Sequence, residues 1–193
     1  SIRRIPAGGE VTWSYGPKSN SALVFSYGFA VDRNPFDAVS IGANVPPGDA
    51  AASLRREVIR AVTRRHCSLY QQAQSGAADA VVRFRRGPLT TCELALARAL
   101  TASPRALAGA RATVEKGRAL SKANERDALD LLSRMASQRL QGYAGGSAED
   151  DDALLAGGTL STVRSTVVRC RRDEKRVLGD ALSDVAKRIR EIR

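Results

Sequence analysis

The sequence predicts a mainly α protein: a helical body over residues 44–193, preceded by a small strand and helix piece over residues 1–43. Three observations predict it. From Asp49 onward apolar residues recur every three to four positions rather than every second one. Serines, prolines and glycines punctuate that stretch where helices would start and stop. Most of the aromatic residues, and the alternating run Glu10-Val11-Thr12-Trp13-Ser14-Tyr15, fall before residue 44.

Taken in order, Ala7-Gly8-Gly9 reads as a turn into a strand over Glu10–Tyr15 that places Val11, Trp13 and Tyr15 on one face. After Gly16-Pro17, Ser19 or Asn20 caps a short helix through Tyr27, and Gly28 closes it in the left-handed conformation. Asn34-Pro35-Phe36-Asp37 is a turn and Ala38–Ile41 a short strand. Asp49 caps the next helix, which turns Leu54, Val58, Ala61, Val62 and Leu69 toward a core. Val81–Phe84 reads as extended. Pro88 is expected to start a helix through Ala102 that buries Leu94, Ala97 and Leu100, followed by a polar loop at Ser103-Pro104.

Asn124–Tyr143 carries Leu129, Leu132, Met135 or Ala136, Leu140 and Tyr143 at helical spacing, and Gly145-Gly146 ends it. Ser147 caps a short helix whose first turn holds Glu149, Asp150, Asp151 and Asp152, where carboxylates meet the positive end of the helix dipole. Gly157-Gly158 stops it. The last segment, Ser161–Arg193, is a long helix with Val167, Cys170, Leu178, Ala181, Val185, Ile189 and Ile192 on one stripe.

Composition narrows the function classes. Hydrophobic residues make up 43% of the 193 and charged ones 26%, enough apolar matter for a buried core. No apolar run of about 18 residues occurs, so no helix is expected to span a membrane. Ser1 to Pro6 carries no apolar signal region, and any targeting peptide is expected to have been lost or to lie upstream. A net charge of +11 admits an acidic partner, but the arginines are spread along helices and aromatics are 5%, against the stacking platforms of nucleic-acid readers.

Cys67, Cys92 and Cys170 are odd in number, lack C-x-x-C spacing and have only His66 as an imidazole neighbour, so no metal site is expected. Three reduced thiols in an intracellular compartment, and a partly buried structural His66, are the expectation. The carboxylates at 149–152 point to different faces of a helix and cannot converge on one ion. They are expected to form a solvated helix turn.

The segment Gly9-Glu10-Val11-Thr12-Trp13-Ser14-Tyr15-Gly16-Pro17-Lys18-Ser19-Asn20, with Leu23, Val24 and Tyr27-Gly28-Phe29, resembles the closing motif of SET domains. Asn34-Pro35-Phe36-Asp37 extends the likeness. A second block, Tyr143, Glu149-Asp150, Leu154-Leu155, Leu160 and Arg171-Arg172-Asp173-Glu174-Lys175-Arg176-Val177-Leu178, is similar to the end of the substrate-binding domain of the Rubisco large-subunit methyltransferase family. The resemblance implies the C-terminal portion of an S-adenosylmethionine-dependent protein-lysine methyltransferase. Residues 1–43 would be a remnant of the β-rich SET domain, and residues 44–193 the helical domain that docks a protein substrate.

By that resemblance Tyr15 matches the catalytic tyrosine beside the methyl-transfer centre and contacts substrate, Tyr27 matches a wall of the target-lysine channel, and Phe29 lies near the methyl donor. The family's Asn-His pair and N-terminal strand segment lie upstream of these blocks, and His66 is no substitute. This chain alone is therefore expected neither to bind S-adenosylmethionine nor to catalyse. A noncatalytic protein-binding module is the alternative, and a basic nucleic-acid binder ranks below it. Gly145-Gly146 replaces the threonines common in the family, which is expected to loosen that loop. Rubisco relatives imply a chloroplast location, with cytoplasmic and nuclear members beside them.

Overall fold

The structure, a computed structural model, describes residues 4–68, 71 and 78–192. The core position expected for Leu69 lies outside the described residues. Seven helices and one two-stranded sheet occur among them.

Local chemistry sets most element ends. Helix α1 (Asn20–Tyr27) starts where the Ser19 side chain accepts the Ala22 N–H and stops at Gly28, whose φ of 78° places it in the left-handed region. Strand β1 (Ala38–Ala43) pairs antiparallel with β2 (Ala80–Arg85), Ala38 opposite Arg85 and Ala43 opposite Ala80. The expected boundary after residue 43 thus runs along the end of a strand whose partner lies in the helical body. Helix α2 (Ala52–His66) is preceded by Asp49, whose carboxylate accepts the Ala51 N–H at 2.9 Å and Arg55 Nε at 2.5 Å.

Helix α3 (Thr91–Thr101) begins three residues beyond Pro88, because Thr90 and Glu93 form a reciprocal capping box. Ser103-Pro104, expected as a loop, instead opens helix α4 (Pro104–Glu115). The Ser103 side chain accepts the Ala106 N–H, and proline suits the first helical position, where its missing N–H is not needed. Helix α5 (Lys122–Gln141) is capped by Ser121 and ends earlier than expected, at Gly142. Helix α6 (Ala148–Ala156) has a Ser147–Asp150 capping box, and α7 (Thr162–Glu191) is capped by Ser161.

Glu10–Tyr15 forms no strand. No neighbouring strand among the described residues supplies ladder hydrogen bonds, and a solitary strand does not hold its shape in water. Its apolar face is open, with Trp13 81% exposed.

The core has two parts that meet across α3. Val39, Val82 and Phe84 of the sheet pack with Leu94, Leu129, Leu132, Leu178 and Val185. Val58, Ile59 and Val62 of α2 pack with Leu96, Leu107 and Val114. The α7 stripe starts one residue later than expected: Val167 is 51% exposed and Val168 is buried, one turn from buried Arg172.

Two cysteines depart from the expected thiols. Cys67, just past α2, and Cys92, in the first turn of α3, form a disulfide with their Cα atoms 5.0 Å apart, 25 positions apart in sequence. Sequence spacing does not report that proximity. Cys170 is a free thiol, and burial with the nearby carboxylates pushes its pKa up to about 12. His66 is half-buried with Nε2 2.9 Å from the Glu115 carbonyl oxygen, tying α2 to the end of α4.

Candidate functional site

The aromatic residues singled out in the sequence converge. Tyr15 comes from the extended N-terminal segment, Tyr27 from the end of α1 and Phe29 from just beyond Gly28. The Tyr15 ring centroid lies 4.5 Å from that of Tyr27 and 5.5 Å from that of Phe29, the latter edge-on, and Tyr27 is 6.3 Å from Phe29. Trp13 stands edge-on to Tyr15 at 6.2 Å. Offset and edge-on rings attract through their quadrupoles as well as their area. Tyr15 and Tyr27 remain 40% and 47% exposed, so the cluster is an open aromatic face rather than an enclosure.

Beneath it lies a polar network that sequence reasoning did not find. Asn20, the first residue of α1, is fully buried. Its Nδ2 donates to the Val31 carbonyl at 2.9 Å, to Asp173 Oδ2 at 3.2 Å and to Asp37 Oδ2 at 3.3 Å. Its Oδ1 accepts from Val31 N–H at 2.9 Å and Asn34 Nδ2 at 3.2 Å, and its own N–H donates to Asp37 Oδ1 at 2.8 Å. Asp173 on α7 accepts in turn from Arg172 Nε at 2.9 Å and Arg86 Nη2 at 3.5 Å. Arg172 also reaches Asp32 at 2.8 Å.

Burial desolvates Asp37 and raises its pKa to about 6. Asp173 and Glu174 add to the rise, while the hydrogen bond from the Asn20 N–H opposes it. Tyr143 donates its hydroxyl hydrogen to Glu174 at 2.5 Å, and burial with that partner raises its pKa further.

The acidic turn of α6 is a correction. Glu149 and Asp150 are exposed as expected, but Asp151 is fully buried and accepts from Arg171 Nε at 3.1 Å and Lys175 Nζ at 2.8 Å. Asp152 pairs with Arg172 at 3.2 Å and with Arg176. The acidic run 149–152 and the basic residues Arg171, Arg172, Lys175 and Arg176 on the next helix are the sequence signal for these pairs. No group of His, Cys, Asp and Glu side chains suited to a metal ion occurs among the described residues.

The loop before α6 is tied rather than loosened. A Cβ on Gly146 would fall 2.9 Å from Asp150 Cγ, and one on Gly145 3.2 Å from the Arg171 guanidinium. The missing side chains let the capping carboxylate and the arginine close in, and Lys175 Nζ donates to the Gly146 carbonyl at 2.6 Å.

Residues 63–178, more than half of the chain, match the family model described as Rubisco LSMT substrate-binding. This chain belongs to that family. The Rubisco LSMT match covers the second sequence block and leaves the first, with Tyr15, Tyr27 and Phe29, outside it.

Solved structures cover both blocks. A SET domain of LSMT bound to methyl-lysine and AdoHcy aligns with 96% of this chain at a TM-score of 0.75 and 20% identity. One bound to lysine and AdoHcy aligns with 95% at 0.74 and 19%, and Rubisco LSMT bound to AdoMet with 95% at 0.72 and 18%. At these identities the likeness is one of fold. This Rubisco LSMT family chain spans 40% to 42% of the length of those proteins. No curated protein matches it in sequence. Among the described residues the aromatic face forms one open wall, with Tyr15 and Tyr27 in ring contact at 4.5 Å.

Proposed function

We propose that this chain is the portion of a SET-type, S-adenosylmethionine-dependent protein-lysine methyltransferase that docks the protein substrate and walls the target-lysine channel. In this reading the helical body holds the substrate, Tyr15 and Tyr27 face its lysine, and Phe29 lies near the methyl donor. The observation that carries the reading is their convergence from three segments, with centroids 4.5 to 6.3 Å apart.

The residue types suit the task. A lysine ammonium titrates near 10.4, so freeing its nitrogen lone pair at pH 7 costs about 4 to 5 kcal/mol. Aromatic surroundings that exclude water favour the neutral amine and lower that cost. A tyrosine hydroxyl can hold the amine in line without adding charge, which is catalysis by positioning.

The test uses the full-length gene product, with AdoHcy release measured on free lysine and on the Rubisco large subunit. Turnover that falls roughly a hundredfold in Tyr15→Phe supports the reading. A full-length product that neither binds AdoMet nor turns over would overturn it and leave a noncatalytic protein-binding module.

A further inference from the structure

We propose that Asp173 on α7 is a positioning residue for the aromatic face, acting through Asn20 on the helix that carries Tyr27. The proposal rests on the channel reading above and deepens it.

Asn20 and Asp173 are 153 positions apart, one at the start of α1 and the other in the middle of α7, and both are fully buried. Their contact spans the two sequence blocks. Asp173 is not free to follow Asn20, because Arg172 and Arg86 hold its other oxygen. Asn20 is not free to swivel either. Both ends of its amide are used, and the Val31 backbone is gripped through its N–H and its carbonyl together.

Tyr27 closes the same eight-residue helix that Asn20 opens. A helix of that length is a stiff rod of about 12 Å. Tyr27 itself is half-exposed and touches the two other rings, so little packing around it fixes its place. The buried end of α1 therefore sets where the exposed end points. The same clamp restrains the stretch after Phe29, because Arg172 binds Asp32 and the Asn20 and Asn34 side chains meet there.

Asp173→Asn retains size but turns an amide donor toward the Asn20 donor. The first readout is ring-to-ring nuclear Overhauser contact between Tyr15 and Tyr27 in this chain, which needs no turnover. Asp184→Asn is the control, since Asp184 lies on the same helix but binds Leu89 N–H and Arg188. The expected result is a severalfold loss of the Tyr15–Tyr27 contact in Asp173→Asn and its retention in Asp184→Asn.

Retention in both variants, or loss in both, overturns the proposal. Should Asp173→Asn fail to fold, Asn20→Ala, which leaves Asp173 with its arginines, answers the same question with the same two outcomes. In the full-length enzyme the expected signature is a roughly tenfold or greater fall in kcat with KM for the docked protein changed less than about twofold. Lost ring contact in Asp173→Asn alongside a wild-type enzyme without turnover would leave the coupling intact and remove only the channel reading.

Discussion

Lys175 Nζ donates to Asp151 Oδ2 across 2.8 Å, between side chains that are 4% and 0% exposed. The same ammonium donates to the Gly146 and Ser147 carbonyls, so α7 grips α6 at its first turn and the loop before it. Removing one partner of a buried pair strands the other charge away from water, which costs about 3 to 5 kcal/mol. Asp151→Ala is expected to lower unfolding free energy by that amount, whereas Glu149→Ala, exposed beside it, should cost under about 1 kcal/mol. Urea denaturation of both variants checks the contrast.

Asp37 gives the chain a pH signature. Its folded pKa, raised to about 6 from 3.8, means that the folded state holds the proton more tightly than the unfolded chain. Its contribution is fully present below about 3.8 and is lost as pH rises through 6, a swing of roughly 3 kcal/mol. The difference in stability between wild type and Asp37→Asn, followed from pH 4 to 7 by thermal denaturation, should therefore change across that window and flatten above it. An unchanging difference would show that Asp37 titrates as an ordinary carboxylate.

Asp151 works in the opposite sense. Burial raises its pKa, but hydrogen bonds from Arg171 and Lys175 outweigh that and bring it below 3.8. Its stabilisation is present above the unfolded value and is lost as pH falls through the folded one. Acid unfolding of the wild type should thus begin at a lower pH than that of Lys175→Met, which leaves Asp151 without one of its cations.

The Cys67–Cys92 disulfide closes a loop between residues 25 positions apart. On the chain-entropy account such a loop stabilises by about 3 kcal/mol. Reduction, or the Cys67→Ser/Cys92→Ser pair, should lower the unfolding free energy by about that much, and thiol titration of the unfolded wild type should find one thiol, Cys170, before reduction and three after it.

Gly146→Ala tests the tied loop. The new Cβ would collide with the Asp150 carboxylate that caps α6, so the capping box opens at a cost of about 1 to 2 kcal/mol. Gly109→Ala, on α4 with open space around it, should be neutral or slightly stabilising.

Where a residue's neighbours in sequence determine its conformation, the sequence was readable. Ser19 and Gly28 bracket α1, and Ser147 opens α6, because caps are satisfied within a turn. Ser103-Pro104 reads equally as a loop or as a cap followed by proline, and only the packing of residues 104–115 against α2 and α3 decides for the helix. Alternation over Glu10–Tyr15 describes a face, but a strand also needs a partner to pair with. Of the site, the gathering of Tyr15, Tyr27 and Phe29 followed from their motif. The pairing of Asn20 with Asp173 depended on how α1 lies against α7, which no local pattern encodes.

The antiparallel pairing of β1 with β2 sets how portable the helical body is. Val39 packs in the same core as Phe84, Leu132 and Leu178, and its strand satisfies the backbone of β2 along six paired positions. A graft of this body onto another catalytic scaffold must therefore begin no later than Ala38. Cut after Ala43, it would present a bare apolar strand edge and recruit foreign strands to it.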